Sequence, residues 1–211
     1  AEHKAVAKEA AARSFTLVKY DNAAPLTGQR IVVAGSLAQN IRALNSGWTA
    51  KEPIEITGTT ILDALTAKAG ADNVTYVETA ADVPADLSGT PDPEWTAASL
   101  EFPQEQTELV QALKAAGANV VSVVIMNRAY VLTPISDASD SVLLVYRPGI
   151  TCGAEAVADA LFGETAITGK LPFQIPADME QVLNQREDMP KDIENPLYDY
   201  GFGIETESFG A

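Results

Sequence analysis

Among 211 residues there is one cysteine and one histidine. Cys152 alone can form no internal disulfide, so cysteine usage does not declare a compartment. His3, in the first turn of the chain, is badly placed for Ser-His-Asp or Cys-His catalysis and for His-ligated zinc, each of which needs a positioned imidazole. Basic residues are scarce: 14 Lys+Arg stand against 29 Asp+Glu, a formal charge of −15. With no Lys or Arg run, nucleic acid and an anionic membrane surface are excluded as expected partners, since both need basic patches. No apolar run approaches the roughly 18 residues of a membrane span, and the opening AEHKAVAKEA lacks the basic-then-apolar order of a signal peptide. Internal repeats are absent, and the Ala-rich opening is the longest biased tract.

What the chain does have is enough apolar material, 46% of residues, to bury a core. Residues 2–18 are Ala-rich with charges three and four apart, which predicts a helix running into a short strand. Arg30 to Gly35 (RIVVAG) is an unalternating β-branched run closed by glycine, the pattern of a parallel strand buried on both faces. Thr59 to Ala69 predicts a helix capped by Thr59 or Thr60, and Asn73 to Glu78 a second core strand. Asp82 to Ser99 holds several prolines and acids and reads as an irregular loop. Beyond it, Pro103–Gly117 predicts a helix, Asn119–Met126 and Ser141–Tyr146 predict strands, and Ala154–Phe162 a helix stopped at Gly163. Lys170 to Pro176 (KLPFQIP) predicts a proline-bounded edge strand. The alternation predicts an α/β class: a three-layer α/β/α sandwich on a mostly parallel sheet of five to six strands with one antiparallel edge strand. A single domain over 1–211 is expected, with 179–211 as a C-terminal arm pinned by the apolar knot Pro196–Gly203.

Few residues suggest chemistry by themselves. Val33-Ala34-Gly35-Ser36 follows a strand, where α/β proteins bind phosphates, but the Gly-rich fingerprint and the Walker lysine are missing. Cys152 precedes a predicted helix whose amide dipoles favour a thiolate, yet no histidine is at hand as base; a small buried hydrophobe is the plainer role. Asp92, Glu94, Glu101 and Glu105 flank Trp95, and carboxylates beside an aromatic ring are the equipment of sugar hydrolysis, where one acid protonates the leaving oxygen. A solvated acidic loop on an acidic protein is the plainer account. Trp48 follows the first core strand, near the edge at which open α/β sheets bind ligands.

Taken together, several segments resemble the C-terminal domain of glycoside hydrolase family 3, the retaining β-glucosidases, exo-glucanases and β-xylosidases. Ala10–Lys19 and Ala24-Pro25-Leu26 resemble the family's opening helix, strand and "LPL"; Ser46-Gly47-Trp48-Thr49 resembles its "GGWT" loop; Gly58–Leu62 is similar to "GTTIL". Asn127-Arg128-Ala129-Tyr130 stands where "GRPY" is usual, and Tyr146–Gly149 where "W-x-PG" is. Ala158–Glu164 with Thr168–Phe173 matches "ADVLFGD…SGKLPF", and Pro196–Gly203 matches "PLYPFGYGL". The resemblance implies a sandwich domain that closes over the active site of a (β/α)8-type barrel, which carries the nucleophilic aspartate. A barrel takes roughly 250 residues, more than this chain provides. The resemblance further implies an acid/base glutamate from the sandwich, for which Glu94, Glu101 and Glu105 are the candidates. Trp48, Trp95 and Arg128 are the candidate substrate-binding residues.

One departure stands out. Where members usually read "DVAIVVVGE", this chain passes from Ala81-Asp82-Val83 to Pro84-Ala85-Asp86, so a central strand and its glutamate are unaccounted for. The segment is lost from a fragment, or the sheet has five strands, or a partner or swapped segment fills the position. The resemblance implies β-linked oligosaccharides or aryl glycosides as substrates, a barrel in cis or in trans as partner, and a periplasmic or secreted setting. A homo-oligomer is admitted, and no cofactor or metal is called for. The competing functions are a non-catalytic carbohydrate- or protein-binding module and a flavodoxin-like binding domain.

Overall fold

The computed structural model describes residues 2–21, 25–26, 30–45, 56–85, 87, 95–99, 104–186, 188–189 and 191–207, with 95–99 described by their backbone. Chain order is α1 (Glu2–Ser14), β1 (Thr16–Lys19), β2 (Arg30–Ala34), α2 (Ile61–Ala69), β3 (Val74–Val77), β4 (Trp95–Ser99), α3 (Gln104–Ala115), β5 (Asn119–Ile125), α4 (Thr133–Ala138), β6 (Ser141–Val145), α5 (Gly153–Leu161) and α6 (Met179–Asn184). The strands form one sheet in the order β1-β6-β5-β4-β2-β3. Pairing is parallel from β6 through β3, and β1 joins β6 antiparallel. The α/β class expected of the sequence is the one the chain adopts.

The unalternating apolar runs explain the layering. Ile31 and Val33, Val121 and Val123, and Leu143 and Val145 face a core that includes residues of α1, α2 and α5. Their neighbours Val32, Ala34 and Val120 face α3 and α4. On that side Val142 and Leu144 also pack, in a third cluster with Leu171 and Ile175. Successive side chains of a strand point to opposite faces, so strands covered on both sides must be apolar throughout. Each such Val or Leu contributes about 1.5–3 kcal/mol by leaving water. Helix starts follow local chemistry as well: Thr60 caps α2, its hydroxyl accepting from the Asp63 amide while Asp63 accepts from the Thr60 amide.

Two expectations are corrected. Asp82–Ser99 is not loop throughout: Trp95–Ser99 is β4, hydrogen-bonded between β2 and β5. The central strand that looked missing is therefore supplied by this chain. Its sequence, WTAAS, carries no long apolar run, and its strand state comes from two parallel neighbours that satisfy its backbone groups. Lys170–Pro176 in turn is not an edge strand; it makes only an isolated antiparallel bridge, Ile175 with Tyr198. Pro172 and Pro176 have no amide hydrogen for a ladder, and the antiparallel edge position is held by β1.

The C-terminal segment is tied back to the body. Ile204 N–H donates to Leu17 (2.8 Å), Leu171 N–H to Phe202 (2.8 Å) and Thr206 N–H to Ile167 (3.0 Å). Tyr198 and Phe202 stack with ring centroids 5.7 Å apart, and the Tyr198 hydroxyl lies 2.6 Å from that of Ser136.

Candidate functional site at the carboxyl edge of the sheet

From β2 the chain runs through α2 to β3 on one side, and β4 then lies on the other side of β2. Connections from β2 and β4 thus leave in opposite directions, over α2 and α3. Such a reversal opens a crevice beyond the carboxyl ends of the strands, where open α/β sheets place their ligands.

Here the crevice is a cleft of about 550 Å³ lined by Ser36, Glu78, Thr79, Ala80, Ala81, Glu105, Gln106 and Glu108. Gly35 follows β2 directly with φ of 96°, a backbone turn that glycine tolerates without a Cβ clash. Its amide donates to Val77 (3.0 Å) and its carbonyl accepts the Tyr76 hydroxyl (3.3 Å), which fixes the β2 exit against β3. The β3 exit is held by a second capping box: Asp82 Oδ2 accepts from the Thr79 amide at 3.0 Å and its hydroxyl at 2.7 Å. These two bonds lower the Asp82 pKa. Glu105 and Glu108 enter the cleft from the first turns of α3, Glu108 taking a hydrogen bond from Gln104 Nε2 (3.1 Å).

Further along the same edge, β5 is followed by Asn127–Tyr130. Arg128 is exposed, its guanidinium carbon 5.2 Å from the Tyr130 ring centroid, and the Tyr130 hydroxyl donates to Asn127 Oδ1 at 3.0 Å. After β6, Arg147 adopts φ of 53° and its Nη1 donates to the Asn45 carbonyl (2.9 Å). Gly149 N–H donates to Leu44 (2.8 Å), so the β6 exit clamps the turn that leads in sequence to Ser46-Gly47-Trp48-Thr49. At the start of α5, Thr59 donates to Glu155 Oε1 (3.1 Å), and Glu155 Oε2 is buried without a hydrogen-bond donor.

Of the residues singled out from sequence, Glu105 lines the cleft and Arg128 stands on the same edge. Trp48, Glu94 and Glu101 lie outside the described residues; in sequence Glu101 follows the last residue of β4 by two positions. Trp95 begins β4 in register with Arg30, at the amino edge of the parallel strands, while Ser99 pairs with Ala34 at the carboxyl edge. Four residues of extended chain span about 13 Å, so the length of β4 lies between the Trp95 backbone and Ser99, beyond which the chain leads in sequence to Glu101 and Glu105. Glu78 and Glu108 were not singled out from sequence. Their signal was positional, one closing a core strand and the other lying in the first turns of a helix, and it acquires meaning only once those ends share a crevice. Among the described residues no group of three His, Cys, Asp or Glu side chains converges as a metal ion requires. The arrangement offers carboxylates for proton transfer and an Arg-aromatic pair for a polar ligand, but no described nucleophile beside a base.

The model of the glycosyl hydrolase family 3 C-terminal domain matches residues 15–206. The chain belongs to this family. Relatives of this family 3 domain include beta-glucosidase C of Emericella nidulans, 38% identical over 84 residues, 40% of this chain and 13% of that protein. The periplasmic beta-glucosidase of Salmonella typhimurium is 30% identical over 129 residues, 53% of this chain and 17% of the relative. A xylan 1,4-beta-xylosidase of Xylanibacter ruminicola is 31% identical over 116 residues, covering 53% and 13%. In fold, the domain is similar to a beta-glucosidase from Listeria innocua solved with isofagomine (TM-score 0.76, 20% identity, 97% of this chain and 34% of that one). It is likewise similar to an exo-1,3/1,4-beta-glucanase from a Pseudoalteromonas species (TM-score 0.75, 23% identity, 97% and 29%). The domain therefore spans less than a fifth of these curated relatives and about a third of these solved chains. It is a C-terminal domain of the glycoside hydrolase type. No described helix is long and apolar enough to cross a membrane.

Proposed function

We propose that this chain is the sandwich half of a retaining β-glycosidase that removes terminal β-linked glucosyl or xylosyl units, and that it is inert without a nucleophile-bearing barrel in cis or in trans. The observation that carries the reading is the glutamate-lined cleft at the strand reversal of a family 3 domain. Retention needs two carboxyl groups about 5–5.5 Å apart. A barrel of roughly 250 residues, the source of the second, exceeds the chain. We assign the acid/base role to Glu101 or Glu105, one following β4 in the sequence and the other in the cleft, ahead of Glu94, which precedes the amino end of that strand. Trp48 and Arg128 would line the sugar subsite. The whole of 1–211 acts as one domain with 179–211 as its arm, in a secreted setting or in a periplasmic one such as some relatives' names print.

The test is hydrolysis of p-nitrophenyl β-glucoside and β-xyloside, together with cellobiose, by the chain alone and by the barrel-bearing protein. The chain alone is expected to be inactive. In the barrel-bearing protein, Glu101→Gln or Glu105→Gln should lower kcat on cellobiose about 10²–10⁴-fold and abolish the alkaline limb of the pH profile, because only the protonated carboxyl can donate to the leaving oxygen. Turnover by the chain alone, or full activity in both variants, would overturn the assignment.

A further inference from the structure

On the side of the molecule formed by the C-terminal segment, α6 is turned the wrong way round for a surface helix. Its polar residues Glu180, Gln181 and Asn184 line a cleft of about 480 Å³ against Asp192–Glu194. Its apolar residues Met179, Val182 and Leu183 face solvent, 59%, 38% and 79% exposed. A helix on a free surface normally shows the opposite arrangement, apolar inward.

The cleft is a built one. Gln181 ties α6 across it, its Nε2 donating to the carbonyls of Glu194 (3.2 Å) and Asn195 (3.1 Å). Gln174 grips Ile193 from behind, donating to its carbonyl and accepting from its amide, both at 3.1 Å. Preceding Ile193 in the chain is Asp192, whose side chain is 5% exposed. Asp192 Oδ2 accepts from the Arg186 amide (2.8 Å) and faces its Nε at 3.4 Å. Asp192 Oδ1 is buried and receives no hydrogen bond. A buried carboxylate oxygen left without a donor costs more than the bond it lacks would contribute, so an occupant that brought a donor to it would bind favourably.

We propose that this cleft and the outward face of α6 form a docking surface for a protein segment that presents an arginine beside apolar side chains. Asp178, Glu180, Asp192 and Glu194 line the cleft, no lining residue described is basic, and the Arg186 that pairs with Asp192 is itself largely exposed, so a cationic occupant matches the charge. A metal ion is a poor fit, because no three acidic groups converge on one point among the described residues. A sugar fits less well, since no described lining residue is aromatic and neutral hydroxyls leave the carboxylate charge unmatched. Guanidinium combines a planar fork of donors with weak hydration, which suits a buried acceptor flanked by further carboxylates. The exposed Met179, Val182 and Leu183 beside the cleft select a protein-borne arginine over a free one, because only a segment carrying apolar neighbours can cover them. The surface does not depend on the glycosidase reading.

The experiment is a calorimetric and NMR titration of the 211-residue chain with the peptide acetyl-Leu-Arg-Leu-Leu-amide, with the same peptide carrying citrulline for arginine, with acetyl-arginine amide, and with cellobiose. The arginine peptide should bind, and the uncharged citrulline form should bind at least about tenfold more weakly. Asp192→Asn should cause a similar loss for the arginine peptide and little change for the citrulline one. Should that variant unfold, the exposed Glu180→Gln serves in its place, with a smaller loss expected in the same direction. Leu183→Ser should weaken the peptide and leave acetyl-arginine amide unaffected. Equal binding of arginine and citrulline peptides, or no binding at millimolar peptide, overturns the proposal. Acetyl-arginine amide binding as tightly as the peptide overturns the protein partner, and displacement of the peptide by cellobiose overturns the cationic occupant.

Discussion

Gly203 offers a sharp test of how the C-terminal segment is fastened. A Cβ built on it would lie 2.3 Å from the Gly169 carbonyl oxygen and 3.2 Å from both Lys170 Cδ and Thr16 Cγ2. The lysine methylene can swing aside, but the carbonyl belongs to a backbone whose own amide donates to Phe15 at 3.1 Å. Gly203→Ala must therefore push the two backbones apart by close to 1 Å, an overpacking that costs about 1–3 kcal/mol. The separation also strains neighbouring bonds from Ile204 to Leu17 and from Leu171 to Phe202, each worth about 1 kcal/mol. The expected total is about 3–5 kcal/mol. At about 2–4 °C per kcal/mol for a chain of this length, Tm should fall by about 6–20 °C. Gly201→Ala is the control: with φ of 78° and no atom within 4 Å of its Cβ, it should incur only the left-handed backbone penalty of about 1–2 kcal/mol. Thermal and urea unfolding of both variants decide the matter. A Gly203→Ala chain that melts with the parent, or higher than Gly201→Ala, would refute the close approach.

Other expectations follow from the same contacts. Lys68, 22% exposed, bridges α2 to Asp159 (2.9 Å) and Glu164 (2.6 Å). Burial lowers its pKa, but the hydrogen bonds and charges of Glu164 and Asp159 outweigh that and leave it raised. A raised lysine pKa stabilises the fold fully below the unfolded value, near 10.4, and the contribution fades as pH rises through the folded one. Lys68→Met should thus narrow the stability gap to the parent on the alkaline side, measured by urea midpoints from neutral pH upward; a gap independent of pH would refute this. Cys152 is buried, and burial together with the Glu155 charge pushes its thiol up, so iodoacetamide should label it at neutral pH only after denaturant is added, as read by intact mass. Leu143→Ala, which empties a fully buried site beside Val123 and Val157, should cost about 2–5 kcal/mol in denaturant unfolding; a loss below about 1 kcal/mol would contradict the packing of that face.

Much of the fold was legible because its elements state their own environment. Runs such as RIVVA and SVLLV are apolar at nearly every position, which only strands covered on both faces require. Thr60 with Asp63 announces a helix start through bonds made within four residues. Glu105 and Arg128 were within reach of sequence because both lie at or just beyond the ends of such elements. The failures share the opposite character. Trp95–Ser99 carries no pattern of its own, and Lys170–Pro176 carries an apolar one but has no amide hydrogen at two of its residues. Glu78 belongs to the cleft only because the reversal at β2 brings the end of β3 beside the start of α3.

The sequence by itself therefore determined the class of the domain, most of its elements, its family kinship and its strong net acidity. These depend on local periodicity, capping and composition, which act over a few residues. The tertiary structure decided which strand fills the centre of the sheet, which carboxylates share a crevice, and that α6 turns its apolar side outward. Those outcomes depend on hydrogen-bond partners and neighbours distant in sequence, and a backbone donor accepts whichever acceptor the assembled sheet brings to it.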